Sequence, residues 1–175
     1  MSMRTEMRKA AHTIRRAVGG TEPQRDDRDI IEVLKQEHEE VKALLAKLED
    51  ATTARERKGL VAEIKAALVP HSKAEEKAVY RRVADFKEKK SPTDGLEGGI
   101  EHEMAAKTLL RLEKMKNAAS LEHRAAGKVL KDLVEHHIEE EENNIFGDLE
   151  ENLSEEDRIQ MGGEFEAAKK RVRVQ

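Results

Sequence analysis

The chain has 175 residues, of which 40% are charged, 37% hydrophobic and 2% aromatic, with a formal net charge of −4. It has no cysteine, which excludes disulfides, thiolate zinc sites, iron–sulfur clusters and cysteine nucleophiles. A mildly acidic balance with so few aromatic rings offers neither the basic field nor the stacking platform of a nucleic-acid binder, so no nucleic-acid partner is expected.

Abundant Ala, Leu, Glu, Lys and Arg with only three prolines favour helices over sheets. The apolar residues are periodic, which disordered tracts rarely are. No apolar run approaches the roughly 20 residues that span a bilayer. The N-terminus lacks the apolar core of a secretory signal. A cytoplasmic protein without a membrane span is expected.

Residues 1–18 read as a short amphipathic helix. Met3, Met7, Ala10, Ile14 and Val18 share one face, and Arg4, Arg8, Lys9, Arg15 and Arg16 make it basic. Gly19 and Gly20 end it, and Pro23 marks a linker. Residues 1–25 thus form a basic N-terminal element that could hold a partner, an anionic surface, or a second copy in a homodimer.

The first long helix is expected over residues 27–50, with Ile31, Leu34, His38, Val41, Leu45 and Leu48 inward at steps of three and four. Thr52 and Thr53 offer an N-cap to a second helix over residues 54–90, with Leu60, Ile64, Leu68, His71, Glu75 and Val79 inward. Pro70 lies inside it and should kink it. Residues 87–99, holding Pro92, Gly95, Gly98 and Gly99, look like the clearest break. Ser91, Pro92 and Asp94 resemble the start of a third helix that runs to about residue 116, with His102, Ala105 or Ala106, Leu109 and Leu112 inward. Ser120 can cap a fourth helix whose stripe is Val129, Leu130, Leu133, His137, Glu141, Ile145 and Leu149. Ser154 and Asp157 start a last helix that carries Ile159 and Phe165 and ends in a basic tail.

Short links make sequential helices antiparallel neighbours. The expected fold is all-α: an antiparallel up-down four-helix bundle over residues 26–153, with short extra helices at residues 1–25 and 154–175.

The two halves of the bundle repeat each other. Glu37-His38-Glu39 recurs as Glu101-His102-Glu103. The run His71, Glu75, Glu76, Val79, Tyr80 recurs as His137, Glu141, Glu142, Ile145, Phe146. Residues four apart share a helix face, so His71 pairs with Glu75 and His137 with Glu141. Both pairs lie in an apolar stripe, as do His38 and His102. One inward histidine is more often a packed core residue, but the doubled pattern argues for a site. Burying two carboxylates costs several kcal/mol each unless a partner compensates. A cation does so, and imidazole plus carboxylate without thiolate suits iron, manganese or zinc. Glu-x-x-His, His-Glu-x-x-His and glycine-rich phosphate loops are all absent.

In order, spacing and register, His38, His71, Glu75, His102, His137 and Glu141 resemble the H…HxxxE…H…HxxxE pattern of the hemerythrin-like, or HHE cation-binding, family. The resemblance covers about residues 29–152. It implies an up-down bundle around a non-haem di-iron centre. His38 and His71 would bind one iron and His102 and His137 the other, with Glu75, Glu141 and an oxo or hydroxo group bridging. Zinc or manganese remains an alternative occupant. The partner implied is a small diatomic ligand, O2 or NO, or peroxide. Oxygen-carrying members have a second histidine one turn after the third-helix one, where Ala106 stands here. They also use His-x-x-x-x-Asp on the fourth helix, where this chain has Glu142, and Glu141 lies better on the stripe. One imidazole fewer leaves an open coordination position, which favours reaction over reversible carriage.

His136 is expected at the surface or behind a ligand, and His12 and His123 in solvent. Tyr80 is expected to pack, and Glu76 and Glu142 to face water. Three readings follow: a di-iron protein that binds or reacts with O2, NO or peroxide or handles iron; a catalase-like enzyme that disproportionates peroxide at the same centre; and a metal-free helical interaction protein.

Overall fold

A computed structural model describes residues 28–86 and 91–174. The basic helix expected over residues 1–18 and its linker lie outside the described residues. Helix α1 spans Ile30–Asp50, and Asp29 caps it by accepting from the Ile31 amide at 2.9 Å. Helix α2 spans Ala54–Glu75 and continues through a π-helical turn, Glu76–Tyr80, into a last turn, Arg81–Val83. It opens with a full capping box, in which Glu56 donates its amide to Thr53 Oγ1 at 3.2 Å and Glu56 Oε2 accepts from the Thr53 amide at 3.0 Å. Helix α3 spans Ser91–Lys114. Helix α4 spans Leu121–Glu140 and runs on through a π turn, Glu141–Ile145, into Phe146–Asn152. Helix α5 spans Glu155–Lys169. Ser120 and Ser154 cap α4 and α5 by accepting from the amides of His123 and Asp157.

The described residues are all-α, and α1 to α4 form a bundle in which α1 and α3 each pack against both α2 and α4. Neighbours run in opposite senses. Glu37 reaches His71 while Arg57 reaches the C-terminal end of α1, and Glu101 reaches His137 while Arg111 reaches Glu122. Helix α5 lies across α1 and α2. Its Gly162 sits so close that an added Cβ would collide with the Arg28 carbonyl oxygen. Arg158 fixes the same contact by donating to the α1 cap, Asp29, at 2.7 Å.

The core divides in two along the bundle axis. One cluster gathers Ile30, Leu34, Val79, Ile145 and Leu149 with Phe165 of α5. The other gathers Leu45, Ile64, Leu68, Leu109, Leu130 and Val134. Each such side chain, once buried, contributes about 1.5–3 kcal/mol. Between the clusters, along α1, α2 and α4 alike, comes a belt of buried histidine and glutamate.

Several expectations need correction. Val129 is 51% exposed and Leu133 only half-buried, because α4 turns Val134 and Ile138 inward instead. In α2, Val61 takes the buried place expected of Leu60, which packs at its margin. The glycines read as a break lie inside α3, and Gly98 has a packing reason: a Cβ there would meet the Tyr80 hydroxyl at 2.5 Å. Pro70 stands within α2, which continues on both sides of it. Ala105, rather than Ala106, is the buried alanine of α3. His123, expected in solvent, is 1% exposed. It lies at the end of the bundle remote from the belt, near buried Arg57, which donates to the Ala51 carbonyl at 2.7 Å. Burial and the Arg57 charge hold the His123 pKa below its ordinary value.

Candidate metal centre

The belt is built by helix periodicity. His38 on α1, His71 and Glu75 on α2, His102 on α3, and His137 and Glu141 on α4 are all buried. Their inner atoms converge. Glu75 Oε2 lies 3.2 Å from His102 Nε2, 3.4 Å from His71 Nε2 and 3.8 Å from His137 Nε2. Glu141 Oε2 lies 3.3 Å from His38 Nε2. His102 and His137 bring their Nε2 atoms within 3.1 Å. Two trios offer ligand atoms within 4.8 Å of one another, His38–His71–Glu75 and Glu75–His102–His137, so Glu75 is common to both.

The outer nitrogens explain why the inner ones point inward. Glu37 Oε2 lies 3.0 Å from His71 Nδ1, Glu101 Oε2 2.8 Å from His137 Nδ1, and Glu142 Oε1 2.9 Å from His38 Nδ1. Glu76 Oε1 stands 3.4 Å from His102 Nδ1. At His38, His71 and His137 the carboxylate bonded to Nδ1 turns Nε2 to the centre, as carboxylates behind metal-bound histidines do; His102 Nδ1 has no hydrogen bond of good geometry. The arrangement follows the repeat. The glutamate before each first-helix histidine serves the second-helix histidine of its own half. The glutamate after each belt glutamate serves the first-helix histidine of the other half. Glu76 and Glu142, expected in water, are therefore half-buried and turned toward histidines.

The electrostatics ask for positive charge. Burial raises the Glu75 pKa, but the His71 charge and hydrogen bonds from His102 and His137 outweigh it and hold Glu75 well below the usual carboxylate range. Burial and the Glu75 charge push Glu141 up, against His38 and His137. Burial lowers His71 and His137, but Glu75 and Glu37 raise the first to about 10, and Glu101 and Glu75 raise the second to about 10. His38 Nε2, Glu75 Oε1 and both Glu141 oxygens are buried without a hydrogen bond of good geometry. Such orphaned groups are costly. A cation among them would satisfy all four, and the donor set fits iron, manganese or zinc.

Two aromatic residues complete the repeat. Tyr80 stacks on His102, with centroids 5.6 Å apart, and Phe146 stacks on His38 at 6.0 Å. Both stand five residues after a belt glutamate. In an α-helix that spacing turns a side chain well away; the π turns bring it back. Only Tyr80 carries a hydroxyl, which points at Glu75 Oε2 from 3.5 Å. Burial and the charges of Glu75 and Glu141 raise its pKa well above the usual value, so it stays a donor. Tyr80 therefore packs and also lines the centre.

The model of the hemerythrin HHE cation-binding domain matches residues 29–149. The chain belongs to that family. The belt residues all lie within that matched stretch. The chain is also 28% identical over 148 residues to a protein of Nostoc sp. (strain PCC 7120 / SAG 25.82 / UTEX 2576) named as a DNA nickase. That match covers 85% of this chain and 41% of the relative's length. No solved structure matches the chain. Among the described residues, no helix is long and apolar enough to cross a membrane.

Proposed function

We propose that this hemerythrin-family protein holds a non-haem di-iron centre that binds or reacts with O2, NO or peroxide. His38 and His71 would hold one ion, His102 and His137 the other, and Glu75 and Glu141 would lie between them. The observation that carries the reading is the paired layer of carboxylates: three of the four imidazoles have an acid bonded at Nδ1, and all four have an acid facing Nε2. Packing alone has no use for so many buried charges at one level.

An iron pair supplies redox and Lewis-acid chemistry to a small ligand. The chain supplies the setting. A cavity of about 150 Å³ borders His102 between α2 and α3, lined by Leu68, Val69, Ala106 and Leu109 and also by the charged Lys73, Glu76 and Glu103. Its walls are mostly apolar, which admits a small uncharged ligand. Ala106, lacking a side chain beyond Cβ, leaves that space on the His102 side. Tyr80 offers a proton-bearing hydroxyl beside Glu75.

The test is iron quantitation with an absorption spectrum. About two irons per chain, with the near-ultraviolet charge-transfer bands of an oxo-bridged ferric pair, is the expected result; less than one bound metal of any kind would defeat the reading. The Tyr80 hydroxyl beside the centre favours peroxide disproportionation as a second reading. Oxygen release from peroxide that exceeds the release by free iron supports it, and equal release removes it.

A further inference from the structure

The two halves of the belt are alike inside but not outside. A narrow cleft opens at the His137 side between α3 and α4, with a volume of about 20 Å³, room for one water-sized particle. Carboxylates line it at every depth, from exposed Glu97 through half-buried Asp94, Glu101 and Glu140 to buried Glu141, and among the described residues no lysine or arginine lines it. Glu101 and Glu140 also belong to a surface group with His136, whose ligand atoms lie within 4.8 Å of one another. His136 is the exposed member, at 60%. Glu101 therefore faces two ways: Oε2 holds His137 Nδ1 at 2.8 Å, and Oε1 stands 3.9 Å from His136 Nε2.

The inner end of the cleft supplies an independent observation. Glu141 is 3% exposed, and neither of its oxygens has a hydrogen-bond partner of good geometry. A buried carboxylate with open acceptors at the end of an acid-lined cleft calls for a cation.

The matching face of the other half also opens, in a pocket of about 270 Å³ beside Glu37 and His71, but Lys169 and Lys170 line it and its residues differ. Where Asp94 and Glu97 stand, the matching positions hold Ile30 and Val33, both buried. The positions matching His136 and Glu140 hold Pro70 and Ala74. The mate of Glu101 is Glu37, whose outer oxygen is bound by Lys169 of α5. One face thus carries lysines and apolar side chains at the matching positions, and the other carries carboxylates.

We propose that this cleft is the route by which a divalent cation reaches the buried centre, with Glu101, His136 and Glu140 as its transit site. The inference rests on the metal-centre reading above. Carboxylates along a low-dielectric cleft concentrate cations and speed their arrival. Oxygen ligands at successive depths replace lost water as the ion moves inward. Because Glu101 touches both sites, an ion bound at the surface lies one carboxylate away from His137.

Metal-free protein mixed with Co²⁺ tests this by stopped-flow absorbance, with the final cobalt content measured afterwards. The double variant His136→Ala/Glu140→Gln and the separate variant Glu97→Gln are expected to load roughly tenfold more slowly and to reach the same content and spectrum. Glu63→Gln, an exposed charge removed elsewhere on α2, is expected to load at the parent rate. Parent-like rates in both cleft variants overturn the inference. So does a lower final content at an unchanged rate, which would make these residues part of the holding site. A parent protein that takes up no cobalt, iron, zinc or manganese overturns the metal-centre reading itself.

Discussion

Glu142 Oε1 lies 2.9 Å from His38 Nδ1, although the two residues are 104 positions apart. That contact turns a glutamate that reads as solvent-facing into a support for a buried imidazole. Replacing it with glutamine keeps the shape and removes the charge. Glu142→Gln and Glu101→Gln are each expected to weaken metal binding roughly 10- to 100-fold, with helical content unchanged. Competition with a chelator of known affinity, alongside circular dichroism, checks this; parent-like affinity in both would assign the outer carboxylates to packing alone.

The belt residues themselves give a sharper contrast. His71→Ala and Glu75→Ala are expected to lower the metal content of purified protein sharply, while His12→Ala leaves it unchanged. Metal analysis of the three variants decides the matter. Equal content in all of them would defeat the site assignment.

Metal removal is expected to lower the melting temperature, because an ion held only by the folded chain stabilises it by mass action. At a free concentration a thousand times Kd the effect is about 4 kcal/mol. Thermal melts before and after verified chelation provide the measurement, and coincident curves would contradict it.

Much of this was readable from the amino acids, and the exceptions have physical causes. The caps at Thr53, Ser120 and Ser154 are local signals carried by one side chain and one nearby amide, and the structure has each of them. The belt histidines stood out because periodicity put them in stripes twice over. His123 was misplaced although its spacing was informative: His123, Gly127, Leu130 and Val134 follow one another at steps of four, three and four, and all are buried. A stripe that starts with histidine and glycine is easily overlooked. The outer glutamates were doubled by the repeat, but in a chain so rich in acid only the rotation of neighbouring helices decides which ones turn inward. The π turns depend on hydrogen-bond register, which no residue type announces.

His123 also predicts a pH dependence. Its folded pKa lies below the ordinary value because of burial and Arg57. Above about pH 6.5 neither the folded nor the unfolded chain protonates it, and it is silent. As pH falls through and below that value, the unfolded chain takes up a proton that the folded chain resists, so stability declines. His123→Leu is expected to flatten this acid limb in urea titrations of the metal-free protein. An unchanged limb would show that other groups cause it.

Tyr80→Phe makes the two halves of the centre alike. It is expected to keep the metal content and to alter stability by no more than about 1.5 kcal/mol, while oxygen release from peroxide drops roughly tenfold or more. An oxygen electrode measures the release. Parent-like release would leave Tyr80 with its stacking contact to His102 alone.

The two five-residue π turns have a consequence for how such a centre can change over time. One begins just past the belt glutamate Glu75 and the other at the belt glutamate Glu141, so each rod is re-phased between its belt histidine and its end. The liganding stretch and the stretch that carries Tyr80 or Phe146 therefore sit on separately indexed lengths of one helix. Losing a single residue between Glu75 and Tyr80 would leave Tyr80 four places after Glu75, the spacing at which an ordinary α-helix keeps two side chains on one face. The aromatic residue can thus stay beside the belt whether the turn is wide or tight, so the wall tolerates a change of one residue in the length of the helix.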